Sequence, residues 1–97
     1  MSREEAVVRL AGLHDRLDAL AAAGEWDAVA RLLPERDALL RDVQGVTRER
    51  MLLEAQRSTT RLAALARDAH AECRAELLAV RRRRRAATNY VTVRDER

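Results

Sequence analysis

The segment from Ala21 to Leu40 constrains the fold of this chain more than any other, because it joins the end of one helix to the start of the next. Gly24 follows three alanines, and glycine readily adopts the left-handed conformation that closes a helix. Trp26 and Asp27 come directly afterwards, and an acidic residue is favoured in the first turn of a helix. The segment therefore predicts a helical hairpin that turns at Gly24.

The composition favours long amphipathic helices over a sheet. The chain has 97 residues, of which 36 % are charged, and it contains no phenylalanine, three glycines and one proline. Trp26 and Tyr90 are its only aromatic residues, so the core has to consist of leucine, valine and alanine. Strand-like alternation is not found before residue 88. We therefore expect one small all-α domain, an antiparallel three-helix hairpin or bundle with a long third helix.

The first helix is predicted over residues 2–23. Ser2 and Glu5 have the spacing of a capping box, in which side chains at both positions satisfy backbone N–H groups of the first turn. Apolar residues then recur every three or four positions, which places them on one face of the helix: Val7, Leu10, Leu13, Leu17 and Leu20.

The second helix is predicted over residues 25–43. Its inward-facing positions are expected to be Trp26, Val29, Leu33, Leu40 and Val43. Pro34 removes one helical hydrogen bond, so we expect a kink near Ala30 or a short break before Pro34. Gly45 is expected to end this part of the chain and Thr47 to cap the third helix.

The third helix is expected to carry a near-heptad seam against its neighbours. The seam consists of small and apolar residues three or four positions apart: Leu52, Ala55, Thr59, Leu62, Ala66, Ala69, Cys73, Leu77 and Val80. From this periodicity we assign one apolar face to the core or to a binding groove, formed by Leu10, Leu13, Leu17, Leu20, Leu52 and Leu62. Periodicity alone does not separate core leucines from leucines that contact a partner.

The positive charge is concentrated at the C-terminus. Residues 1–80 hold twelve arginines and fourteen acidic residues, whereas residues 81–97 hold seven arginines and two acidic residues. We therefore divide the chain into a helical bundle over 1–80 and a basic tail over 81–97, which is either helical or disordered. The segment from Tyr90 to Val93 has strand-like residues without a partner strand and is expected to be irregular.

The five consecutive arginines, Arg81, Arg82, Arg83, Arg84 and Arg85, admit several interpretations. They can neutralise phosphates of nucleic acid, lie on an anionic membrane, or bind carboxylates of an acidic protein. Aromatic residues that would stack on bases do not alternate with them, and Tyr90 alone cannot supply this contact. The sequence thus disfavours nucleic acid and favours a solvated tail.

Neither a catalytic nor a metal site is expected. His70 and Cys73 lie one helical turn apart but lack further ligands, and His14 belongs to another helix, so we expect both histidines at the surface. A helical hairpin offers neither a nucleophile elbow nor a phosphate cradle, so we expect no enzyme and no cofactor. A lone cysteine, the acidic N-terminus and the lack of a long apolar run indicate a cytoplasmic protein without a signal peptide or membrane span.

The Gly-Glu-Trp-Asp turn, followed by apolar residues at helical spacing and a Glu-Arg pair, resembles the FliT-type flagellar type III export chaperones. The residues that match this motif are Gly24, Trp26, Asp27 and Arg36, within residues 20–43. The order of a first helix, a longer later helix and a basic tail with a tyrosine, here Tyr90, also matches. A glycine often follows that tyrosine in the family, whereas Val91 follows it here.

The resemblance implies a function. FliT-type chaperones bind the C-terminal region of the filament-cap protein and deliver it to the export apparatus, including the export ATPase or gate, and some restrain a flagellar transcription regulator. Arg81 to Arg85 and Tyr90 would then form a regulatory or partner-reading tail. Two alternatives stay open: a homodimeric coiled-coil protein built on the third helix, and an arginine-tail nucleic-acid-binding protein.

Overall fold

The computed structural model describes residues 2–95, and side chains up to Tyr90. The fold consists of three helices, α1 (Arg3–Ala22), α2 (Trp26–Arg41) and α3 (Gly45–Asp95), and residues 2–95 contain no strand. The all-α prediction is therefore confirmed. The chain divides into two compact units, Met1–Ala66 and Arg67–Arg97. This division lies within α3, and the predicted boundary between a bundle over 1–80 and a tail over 81–97 stays a prediction.

Local hydrogen bonds define both ends of α1. The Glu5 backbone N–H donates to Ser2 Oγ over 3.1 Å, as predicted for the N-cap. At the other end, Gly24 adopts a φ of +75°, and its N–H donates to the Ala21 carbonyl over 3.0 Å. The Glu25 N–H donates to the Leu20 carbonyl over 2.9 Å. These two bonds form a Schellman motif, so the turn at Gly24 is confirmed.

The second helix runs from Trp26 to Arg41 without interruption, with Pro34 in its interior. The predicted alternative of a break before Pro34 is therefore wrong. Leu32 and Leu39 lie on either side of the proline and are both buried in the core. Their burial stabilises the helical conformation on both sides, which outweighs the loss of one backbone hydrogen bond.

The connection to α3 differs from the predicted one. Gly45 has a φ of +73°, but it is the first residue of α3 and does not end α2, which finishes at Arg41. Thr47 lies inside the first turn of α3 and is not its cap. The left-handed glycine therefore turns the chain into the third helix, a role that only the backbone angles distinguish from a helix stop.

The unit Met1–Ala66 is a three-helix bundle with two apolar clusters. The first cluster joins the start of α1, the end of α2 and the start of α3: Ala6, Leu10, Leu39, Leu40, Val43, Met51 and Ala55. The second joins the other ends of α1 and α2 to a later part of α3: Leu13, Leu17, Ala21, Val29, Leu32 and Leu62, with Leu20, Trp26, Leu33 and Leu65 partly buried against it. Helices α1 and α2 are thus antiparallel, and α3 returns in the direction of α1.

The buried positions of α3 match the predicted seam at Ala55 and Leu62, but at two other positions the preceding residue is buried instead. Met51 and Ser58 are buried at 2 % and 0 % exposure, whereas Leu52 is 40 % exposed and Thr59 is also exposed. Leu52 was assigned to the core or to a binding groove, and its exposure shows that it is not a core residue. A shift of one position rotates a helical face by about 100°. The periodicity of the sequence alone does not decide which residue of an adjacent pair is buried, Met51 or Leu52 and Ser58 or Thr59.

Two predictions for α1 are also corrected. Val7 is 48 % exposed and does not continue the buried stripe, whereas Ala6, one position earlier, is buried. His14 is only 6 % exposed, although it was expected at the surface. Its position four residues after Leu10 and three before Leu17 places it on the buried face of the helix.

The unit Arg67–Arg97 contains the second part of α3, which remains helical through Asp95. The predicted irregular structure at Tyr90–Val93 is therefore wrong, and the tail is helical where the structure describes it. Arg81 to Arg85 are all exposed, as are Cys73, Leu77 and Leu78. Tyr90 is 68 % exposed.

Candidate functional site

A groove of about 380 Å³ lies between α1 and α3 in the unit Met1–Ala66, and we call it the α1–α3 groove. Each helix contributes four residues at positions i, i+3, i+4 and i+7, the spacing of one helical face. They are Val7, Leu10, Ala11 and His14 from α1, and Thr47, Arg50, Met51 and Glu54 from α3.

The α1–α3 groove has an apolar floor and a polar edge. Leu10 and Met51 are 3 % and 2 % exposed and belong to the first apolar cluster. Val7 is half exposed at the side of α1, and Arg50 and Glu54 supply opposite charges on the side of α3. This combination suits an amphipathic partner that brings apolar side chains to the floor and polar groups to the edge.

His14 connects the groove to the interior of the bundle. Burial lowers the pKa of His14 below its usual value of 6.5, and the nearby guanidinium groups of Arg36 and Arg61 lower it further. Asp18 and Glu54 act in the opposite direction. Its Nε2 atom is buried without a hydrogen-bond partner. The imidazole is therefore held in its neutral form in a largely dehydrated position.

Other polar side chains link two helices or are buried in the bundle. Arg36 of α2 is half-buried, and its Nη1 donates to the Ala55 carbonyl of α3 over 3.5 Å. Arg61 of α3 forms a salt bridge with Asp18 of α1 over 3.4 Å. Ser58 is fully buried, and its Oγ atom has no partner. We call His14, Asp18, Arg36, Ser58 and Arg61 the polar layer.

Sequence reasoning identified only one member of the polar layer, Arg36, through its place in the family motif. His14 and Ser58 carry a signal that could have found them, because each occupies a helical position between two core residues. His14 lies between Leu10 and Leu17, and Ser58 lies between Ala55 and Leu62. A polar side chain at such a buried position either forms hydrogen bonds with partners or stays unpaired, which lowers the stability of the fold.

The structure separates the leucines that were assigned to one apolar face. Leu17 and Leu62 are in the core, and Leu20 is partly buried against it. Leu10 is buried but forms part of the floor of the α1–α3 groove. Leu13 is also in the core and lines a different groove between α1 and α2, whereas the exposed Leu52 lines a third between α2 and α3. These residues therefore do not form one binding surface.

The motif residues surround the hairpin turn and the adjacent core. Gly24 supplies the left-handed turn, and Trp26 begins α2 and packs against the second apolar cluster. Trp26 was expected to face inward from the second helix, and its packing confirms this. Asp27 is exposed in the first turn of α2, where its charge interacts favourably with the helix dipole. Three of the four motif residues are thus explained by folding alone.

No family model, curated protein or solved structure matches this chain. The likeness to FliT-type chaperones consequently rests on the motif residues and the order of the helices. In the described part of the chain, no helix is long and apolar enough to cross a membrane. The described residues also contain no group of three or more histidine, cysteine, aspartate or glutamate side chains arranged to hold a metal ion.

Proposed function

We propose that this chain is a non-enzymatic binding protein that holds a helical segment of a client in the α1–α3 groove. The observation that carries the proposal is the groove itself, in which the exposed apolar residues Val7 and Ala11 lie beside charged residues. The resemblance at Gly24, Trp26, Asp27 and Arg36 supplies the client class. The client would be the C-terminal helical region of a flagellar filament-cap protein, delivered in the cytoplasm to the export ATPase or gate.

The contacts available in the groove define the client segment. Leu10 and Met51 at the floor are already buried, whereas Val7 still has half of its surface available for burial by a client. Arg50 and Glu54 lie one helical turn apart and can pair with a client that carries an acid and a base at the same interval. An amphipathic helix with two or three apolar residues on one face satisfies both conditions.

Two neighbouring valines on α1 allow a matched test. Val7 lines the groove, whereas Val8 is 70 % exposed and does not line it. Val7→Glu places a charge at the edge of the groove, and Val8→Glu makes the same chemical change one position away. The full-length chain and both variants would be titrated calorimetrically with the C-terminal helical segment of the cap protein from the same genome.

We expect saturable binding with a negative heat-capacity change for the unmodified chain and for Val8→Glu. For Val7→Glu we expect at least tenfold weaker binding, because apolar burial is lost and a carboxylate is dehydrated, at a combined cost of roughly 1.5 kcal/mol or more. Equal affinities for all three proteins would show that the client does not use the groove. No binding by the unmodified chain would contradict the proposed client.

The homodimeric alternative makes a different prediction for the same sample. A coiled coil built on α3 would sediment as a stable dimer and would gain no thermal stability from the cap-protein segment. Sedimentation equilibrium on the full-length chain, with and without that segment, separates the two functions.

A further inference from the structure

We propose that the arginine segment of α3, residues 81–85, binds duplex DNA through its phosphates, independently of the client groove. From the sequence, the tail was expected to be either helical or disordered. The structure shows a helix in which all five arginines are exposed. The arginine segment lies wholly within the unit Arg67–Arg97.

The arginines lack acidic neighbours on their own helix. The sequence contains no aspartate or glutamate between Glu76 and Asp95, so no acidic residue lies within four positions of Arg81 to Arg85. Helical neighbours three and four residues apart, such as Arg81 and Arg85, therefore repel each other. A polyanion would relieve this repulsion and stabilise the helix.

The distribution of the arginines around the helix selects the kind of polyanion. At about 100° per residue, five consecutive side chains extend around the whole circumference of an α-helix. A flat surface, such as a membrane or the face of an acidic protein, would reach roughly half of that circumference. The major groove of DNA is about 12 Å wide, admits an α-helix and has phosphates along both of its edges, so it can contact arginines on opposite sides.

The apolar residues of this unit argue against a membrane surface. Leu77, Leu78 and Tyr90 are all about half exposed or more. Around the helix axis they are about 100–140° apart, so they do not form the single apolar face that an interfacial helix needs. In the sequence analysis, the lack of aromatic residues that stack on bases counted against nucleic-acid binding. Such stacking is needed for binding single strands. A helix in a duplex groove does not require base stacking.

The test uses a fluorescent 20-base-pair duplex of arbitrary sequence and the full-length chain. Anisotropy titrations between 50 and 200 mM salt should give log Kobs falling against log salt with a slope near −4, as expected for four to five phosphate contacts. The dissociation constant should reach about 10⁻⁴–10⁻⁶ M at physiological salt, the range of sequence-independent binding. Circular dichroism at 222 nm should show increased helicity when the duplex is added.

Two triple variants with the same net charge separate the arginine segment from general basicity. The first variant replaces Arg82, Arg83 and Arg84 with glutamine. The control replaces Arg31, Arg41 and Arg48, which are exposed in the other unit, with glutamine. We expect the first variant to lose at least tenfold in affinity and to reduce the salt slope by two to three, and the control to change affinity less than threefold. Thermal unfolding of both variants checks that they fold.

Several outcomes would overturn the proposal. Equal losses in the two variants would assign the binding to net charge. A single strand that binds as tightly as the duplex would exclude the groove geometry, and stronger binding to polyglutamate or to vesicles containing phosphatidylserine would exclude DNA as the preferred partner. If the unmodified chain did not bind the duplex measurably at 50 mM salt, DNA binding by the arginine segment would also be excluded. None of these results depends on whether a client occupies the α1–α3 groove.

Discussion

Replacing Ser58 with alanine should stabilise the protein, although Ser58 is fully buried. Its Oγ atom has no hydrogen-bond partner, and the side chain is 0 % exposed. In the unfolded chain the hydroxyl is hydrogen-bonded to water, and folding removes this contact without replacing it. The serine therefore costs stability at a position where alanine would fit the same helix.

The expected gain follows from three terms. Removing an unpaired buried hydroxyl recovers about 1–3 kcal/mol. Alanine is also the better helix former, by about 0.5 kcal/mol. Losing one atom from a packed site costs up to about 1 kcal/mol. With the full packing cost, the balance is a stabilisation of about 0.5–2.5 kcal/mol. Each kcal/mol raises the melting temperature of a small domain by about 4–8 °C.

Urea denaturation followed by the fluorescence of Trp26 is the appropriate assay. Trp26 is the only tryptophan and packs against the second apolar cluster, so its emission reports on the bundle of residues 2–66. Thr60→Ala is the matched control: Thr60 is exposed two positions away, and its hydroxyl donates to the Gln56 carbonyl over 3.0 Å. The control changes helix propensity but does not remove a buried hydroxyl, so it should alter the free energy of unfolding by about 0.5 kcal/mol or less.

A Ser58→Ala variant that is destabilised by 1 kcal/mol or more at an unchanged m-value would contradict this expectation. Such a loss would mean that the hydroxyl has a partner in solution, for example the Nε2 atom of His14 or a carbonyl one turn earlier. The polar layer would then be a hydrogen-bonded network that stabilises the bundle. A gain equal to that of Thr60→Ala would attribute the effect to helix propensity alone.

Three further changes test the core, the proline and the buried histidine. Leu17→Ala should cost about 2–5 kcal/mol, because Leu17 is fully buried, and urea unfolding that shifts by less than 1 kcal/mol would contradict this. Pro34→Ala should gain about 1–3 kcal/mol by restoring a backbone hydrogen bond inside α2, and a decrease in melting temperature would contradict it. Because burial lowers the pKa of His14, the unfolded chain binds its proton near pH 6.5 and the folded chain only at lower pH. Stability should therefore fall as the pH decreases from 7 to 5, by at most about 1.4 kcal/mol per pH unit from this group. His14→Gln should flatten that dependence, whereas His70→Gln, at an exposed position, should retain it.

The features that sequence predicted correctly are those fixed by local chemistry. Ser2 caps α1 because its hydroxyl lies within reach of the Glu5 N–H, and Gly24 turns the chain because the left-handed conformation is inexpensive only for glycine. These interactions involve residues within a few positions of each other. The number and order of the helices followed from the same local signals.

The features that sequence missed depend on competition between distant residues. Met51 and Leu52 are both suitable core residues for α3, and only packing against α1 and α2 selects Met51. Pro34 was expected to allow a break, but the packed leucines on both sides keep the helix continuous. His14 was expected at the surface because its residue type is polar, although its register is buried. The position of the α1–α3 groove follows from the same packing.

The matching spacing of the groove residues on α1 and α3 has a consequence for how a helix would lie there. Both edges repeat after one helical turn, so an occupant displaced along the groove by one turn, about 5.4 Å, meets side chains at the same spacing. The spacing alone would thus permit sliding and both chain directions. Arg50 and Glu54 carry opposite charges at successive turns and break this equivalence. The charged edge would therefore select the alignment and polarity of the bound helix.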